Sequence, residues 1–204
     1  MVNRREVAAD RWYDRKTKLM EEWLGKEHGL VMHSIIPYSI GGGLDLYYFP
    51  NGIPGTAIAT KELSELPGKG SSNRVFQSYE LVMFTRRRIN IDAVKNRRTA
   101  FGRAHAILNA ALNRIAPYSE NATLNPNETC EFPADMPIVG GRCLIFNAYP
   151  TCPEEQVKFG LLALIEVFRT EMDYARKHGG AKLLKKLKSK GHYPYSDMDR
   201  DPVV

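Results

Sequence analysis

Between Thr99 and Ala116 the side chains Phe101, Ala104, Ile107, Leu108, Ala111, Leu112 and Ile115 recur at the helical period. That spacing predicts an amphipathic helix with one apolar face. Pro117 predicts its end, because proline has no amide hydrogen and its ring crowds the preceding turn. The flanking sequence reads differently. Leu30–Ile36, Leu44–Phe49, Ala57–Thr60 and Tyr79–Thr85 are short apolar or β-branched runs. They are punctuated by Pro37, by the triple glycine Gly41–Gly43, and by a polar loop through Pro67, Gly68, Gly70, Ser71 and Ser72. Such runs predict four successive strands, a meander, with a hairpin at the glycines. Beyond the helix, a Pro- and Asn-rich loop over 117–137 leads to strands at Cys143–Ala148 and Leu161–Phe168. Helices and strands mixed in this order predict an α/β (α+β) chain: a mixed β-sheet with helices packed against it.

Further helices frame these strands. Ala8, Trp12, Leu19, Trp23 and Leu24 predict a helix over 5–24 with Gly25 as its stop. Thr170 is placed to cap a helix whose first turn holds Glu171 and Asp173, which suits the positive end of the helix dipole. Gly179 and Gly180 end it, and a final helix runs over 181–188. At 204 residues, without internal repeat or linker, the chain reads as one domain: an N-terminal helix (1–28), a core (29–190) and a C-terminal tail (191–204).

Cys130, Cys143 and Cys152 form no CxxC pair, and an odd count fits a reducing compartment. The N-terminus is charged rather than apolar, so no leader is expected. The longest apolar run, around Phe159–Phe168, is interrupted by Glu166 and falls well short of the ~20 residues that span a bilayer. These features predict a cytoplasmic protein that does not enter membranes. In that setting the glycosylation triplets at Asn121 and Asn127 carry no weight. The net charge of +6 favours an acidic partner. The lysines 182, 185, 186, 188 and 190 alternate with Leu183, Leu184 and Leu187, the pattern of a solvated helix face.

No catalytic motif stands out. After Gly41–Gly43 come Leu-Asp and a strand, not the Lys-Ser or Lys-Thr and helix of a phosphate loop, so these glycines read as a turn. The five histidines lie in separate elements and give neither HExxH nor a Cys-His zinc spacing, so neither metal nor cofactor is expected. Cys143 reads as an inert core thiol. Asp45 and Glu80 stand in apolar strands. As a pair they would support acid/base hydrolysis, whereas an outward-facing charge or an internal ion pair is the plainer reading. Tyr47, Tyr48 and Phe49 with the arginine clusters would suit nucleic acid, but no RNP-type motif accompanies them.

Taken in order, Gly43-Leu44-Asp45-Leu46-Tyr47-Tyr48-Phe49-Pro50, Ala59-Thr60, Leu63-Ser64-Glu65 and Tyr79-Glu80-Leu81-Val82-Met83-Phe84 resemble the suppressor-of-fused domain family. The likeness continues through Phe159-Gly160-Leu161-Leu162, Thr170-Glu171-Met172, Gly180, Leu183-Leu184 and Asp197-Met198 with Arg200. Glu62 departs from the family, which commonly places glycine there.

The resemblance implies a mixed α/β module that holds a protein partner and performs no chemistry. In the animal regulator of Hedgehog signalling, such a domain joins a second domain to clamp a transcription-factor peptide as an added strand. A second domain is not expected in this chain, so that partner is not carried over. Stand-alone bacterial relatives look like immunity proteins, which implies a cognate toxin as the partner. Leu46, Phe49, Leu81, Met83 and Ile145 are expected in the core. Tyr47, Glu62, Arg86, Arg87 and Arg88 are expected on the exposed, partner-binding face.

Overall fold

A computed structural model of the chain describes residues 4–66, 68–150 and 156–204. Cys152 and Pro67, which figure in the sequence reading, lie outside the described residues. Helix α1 (Arg4–Leu24) is followed by strands β1 (Val31–Met32), β2 (Leu46–Phe49), β3 (Thr56–Ala59) and β4 (Tyr79–Thr85). Helix α2 (Ala100–Asn121) leads to β5 (Thr129–Glu131), β6 (Cys143–Tyr149) and β7 (Gly160–Val167). Helices α3 (Arg169–His178) and α4 (Gly180–Ser189) precede the tail.

The seven strands form one mixed sheet in the order β1-β2-β3-β4-β7-β6-β5. The first four are antiparallel neighbours, the expected meander. β7 then inserts parallel to β4, pairing Leu81 with Leu162, and β6 and β5 complete the sheet in antiparallel fashion.

Strand periodicity divides the core between the two faces. On one face Leu46, Tyr48, Ile58, Leu81, Met83, Phe146 and Leu164 pack with Leu108, Leu112 and Ile115 of α2. On the other, Phe49, Ala57, Ala59, Val82, Phe84, Ile145 and Ile165 pack with Trp12, Met20 and Leu24 of α1. Met172 of α3 and Leu183 and Leu187 of α4 join this second cluster. Because helices cover both faces, the central strands β4 and β7 are buried at every position. The five expected core residues, Leu46, Phe49, Leu81, Met83 and Ile145, are all solvent-free.

Several expectations are corrected. The strand foreseen over 30–36 shrinks to two residues, because Ser34 turns back to bond within its own loop instead of continuing the ladder. Pro117 does not end α2, which runs on to Asn121. Its last turn is held by the buried Ser119, whose hydroxyl bonds the Ala116 carbonyl and the Ser71 hydroxyl. Thr170 is not the cap of α3. The chain enters that helix directly from β7 at Phe168, whose amide donates to the Glu171 carboxylate at 2.9 Å. β5, inside the foreseen 117–137 loop, is an additional strand.

The tail folds onto the sheet. Tyr195 bridges to Phe84, and Ser196 bonds the backbone of β7 at Leu164 and Glu166. Asp197 accepts from the Thr85 hydroxyl and the Arg86 amide, each at 2.6 Å.

Candidate functional site

The carboxylates singled out in the sequence are committed to structure. Glu80 is fully enclosed with Lys16 of α1, Oε1 to Nζ 2.9 Å. It also accepts from Thr60 and Ser64 hydroxyls and from the amides of Leu63 and Ser64. Asp45 anchors the β1–β2 connection: one oxygen meets His33 Nδ1 at 2.7 Å and the other accepts the Ser34 amide at 2.9 Å. No hydroxyl or thiol bonds the His33 ring among the described residues.

The residues expected on a contact face fall in two groups: Tyr47 and Glu62 line one recess beside α1, and Arg86, Arg87 and Arg88 follow β4. Tyr47 is buried rather than exposed, at 8%. It lies beneath Lys61, whose ammonium stands 4.5 Å from its ring and pairs with Glu27. Strand alternation turns it onto the α1 face with Phe49. Arg86 and Arg87 are occupied by the tail. Arg86 stacks on Tyr195 and donates to the Gly191 carbonyl, and Arg87 pairs with Asp199. Arg88 is exposed without an ion pair among the described residues. Glu62 is half-buried and accepts the Asp45 amide at 2.6 Å. Burial raises its pKa, aided by the charges of Asp45 and Glu80, although the Asp45 amide opposes the shift.

What the structure brings together instead is the connection over 33–43. It contains a short 3-10 helix, Tyr38–Ile40, and carries Ile35, Ile36 and Ile40 at 100%, 55% and 74% exposure. Exposed isoleucines on a loose loop would mean little, but this loop is tied at many points. Gly42 and Gly43 amides donate to the carbonyls of Pro37 and Ile36, and Gly43 also to Ser34 Oγ. Gly41, at φ 88, makes the left-handed turn that glycine tolerates. Asn113 of α2 accepts the Leu44 amide at 2.8 Å, fixing the loop to the helix.

Two clefts flank this apolar knob and share Gly42 as a wall. One, of about 570 Å³, lies between the loop, α2 and the segment 94–97 and is lined by Lys95, Arg97 and Arg114. The other, of about 590 Å³, is lined by Glu62, Glu65 and Glu120 with Lys69. The sequence reading missed the isoleucines by extending a strand over them. Pro37 and the glycine triplet were the available signals that the chain turns there.

The family model described as Suppressor of fused protein (SUFU) matches residues 41–201. The chain belongs to the suppressor of fused family. Its membership accounts for the ordered segments from Gly43 through Arg200. Solved structures carry the same fold. A chain of the Sufu–Fu complex is 15% identical with a TM-score of 0.59, over 96% of this chain and 92% of that one. Drosophila Suppressor of Fused is 16% identical with a TM-score of 0.58, over 94% of this chain and 50% of that one. A SUFU homologue from Neisseria gonorrhoeae FA 1090 is 11% identical with a TM-score of 0.57, over 95% and 98%. At such identities the likeness is one of fold. No curated protein matches. In SUFU this fold serves as a protein-interaction module, and one of these structures is itself a complex. Among the described residues no helix is long and apolar enough to cross a membrane.

Proposed function

We propose that this suppressor of fused family member acts by binding another protein without turnover, and that the partner is a cognate toxin that it neutralises in the reducing cytoplasm. The observation that carries the binding reading is the knob of Ile35, Ile36 and Ile40, exposed on a loop already fixed by hydrogen bonds. Exposed apolar side chains on a pre-organised support bury area on docking with little loss of conformational entropy. The candidate carboxylates Asp45 and Glu80 serve the loop and the core, which favours binding over hydrolysis. The toxin assignment follows from likeness to stand-alone bacterial members of the family, and the free thiols Cys130 and Cys143 suit a reducing compartment.

Co-expression of the tagged chain with the products of neighbouring genes tests this. One stoichiometric partner should remain bound at high salt and should arrest growth when expressed without this chain. Ile35→Asp with Ile40→Asp should abolish capture while leaving the fold intact by circular dichroism. Capture unchanged in that variant defeats the knob as the contact. A partner that is harmless alone defeats the toxin assignment.

A further inference from the structure

The cleft beside the knob carries charged side chains of one sign only. Arg87, Arg142, Arg169 and Arg200 are each neutralised by a carboxylate. Lys95, Arg97 and Arg114 line the cleft with no ion-pair partner among the described residues, and no Asp or Glu reaches its lining. Three like charges around one recess repel one another and concentrate positive potential inside it. Its asparagines are already engaged: Asn113 bonds the Leu44 amide and Asn109, and Asn109 faces Met32 Sδ. The three cations are therefore the charged donors left for a ligand. Between them the floor is apolar, with Val94, Ala106 and Ala110, and the half-exposed Ile138 stands on the rim.

We infer that this cleft receives an acidic segment of the partner protein, with carboxylates meeting Lys95, Arg97 and Arg114 and an apolar side chain entering between Met32 and Ile138. The inference rests on the protein-binding reading and adds the chemistry of the partner. Charge complementarity selects an anion, and the apolar floor selects a polypeptide over a bare phosphate chain. A nucleic acid is disfavoured on two counts. The only aromatic ring in the lining, His105, lies against Tyr48 instead of standing open to stack a base. A phosphate backbone crossing Gly42 would also run into Glu62, Glu65 and Glu120. A polypeptide can change sign along its length, so one whose acidic stretch is followed by basic residues fits both clefts.

The test titrates the full 15N-labelled chain with three probes: a twelve-residue peptide alternating Asp with Leu and Phe, the same peptide with Lys for Asp, and single-stranded oligodeoxythymidine. The Asp peptide alone should move the amide signals of Gly42, Asn109 and Asn113, and Lys95→Glu/Arg97→Glu/Arg114→Glu should weaken its binding at least tenfold. Shifts elsewhere, equal response to the Lys peptide, or tighter binding of the oligonucleotide at these amides overturns the inference. Partner capture separates the two readings. A charge-reversed cleft that still captures the partner at wild-type affinity sinks the acidic segment and leaves protein binding standing. Loss of capture on charge reversal, alongside loss in the knob variant, supports both.

Discussion

Arg200 in the tail places its two terminal guanidinium nitrogens 2.6 and 2.7 Å from the two carboxylate oxygens of Glu171 in α3, and both side chains are almost free of solvent. Burial alone would push the Glu171 carboxyl up. The bonds it accepts from Arg200 and from the amides of Val203 and Phe168 outweigh that and hold it low. This pair fastens the tail to the helix entered from β7. Arg200→Ala leaves a buried carboxylate unpaired, and the expected loss is roughly 3–5 kcal/mol. Arg200→Lys should recover only part of it, since an ammonium cannot make the two parallel bonds. Denaturant unfolding measures both, and limited proteolysis should cut the tail first in the alanine variant.

Lys16 and Glu80 perform the same service at the other end of the chain. Lys16 Nζ also reaches the carbonyls of Lys61 and Ser64 at 2.5 and 2.9 Å, and Trp12 donates to the Ser64 carbonyl at 2.7 Å. The pair thus holds α1 to the segment between β3 and β4. Lys16→Met should cost roughly 3–5 kcal/mol, and Glu80→Gln a comparable amount. The double variant should lose less than the sum, because neither charge is then left alone. A double-mutant cycle in guanidinium reads the coupling, and additive losses would show that the pair is not coupled.

His105 gives a signature in pH. Its ring bonds the Tyr48 hydroxyl at 2.8 Å, and burial lowers its pKa from 6.5 to about 4. The folded state therefore keeps it neutral, and as pH falls the unfolded chain takes up the proton first. Its contribution is complete above pH 6.5, declines as pH drops toward 4, and is level below that. The decline is expected to be on the order of 3 kcal/mol. His105→Gln retains a partner for Tyr48 and should flatten this segment of the stability–pH curve, as urea midpoints at pH 4 to 7 would reveal. An unchanged slope would assign the acid sensitivity to another group.

Gly42 controls the knob. A β-carbon there would lie 1.8 Å from the Ile36 carbonyl oxygen, against which no backbone can give way cheaply. Gly42→Ala should displace the loop while leaving the sheet folded, at a cost of about 1–3 kcal/mol. Hydrogen exchange at the Gly43 amide, which donates to Ile36 at 3.1 Å, should accelerate strongly while amides of β4 stay protected. Partner capture should fall in parallel.

Much of this fold could be read along the chain. The helical period over 99–116, the strand runs at Leu44–Phe49 and Tyr79–Thr85, and Gly25 as a stop all reflect local geometry, which neighbouring residues specify through steric fit and side-chain spacing. The family likeness rests on the same segments. Where the reading failed, a distant contact had overruled a local preference. Pro117 stays inside α2, whose last turn is held by Ser119 against Ser71. The segment 33–36, with the β-branched Ile35 and Ile36, leaves the sheet because Asp45 and Asn113 draw its loop elsewhere.

The candidate site lay further from reach. The sequence by itself determined the long helices and the central strands, that a mixed sheet carries helices, and the net positive charge. The tertiary structure alone decided which charges are neutralised: Glu80 by Lys16, 64 residues away, and Arg87 by Asp199, 112 residues away. It likewise decided that Tyr47 faces the core, that Ile35 faces solvent, and that Lys95, Arg97 and Arg114 converge on one cleft. The reason is physical: periodicity and turn preference act over a few residues, whereas burial and ion pairing depend on which distant segments the fold places side by side.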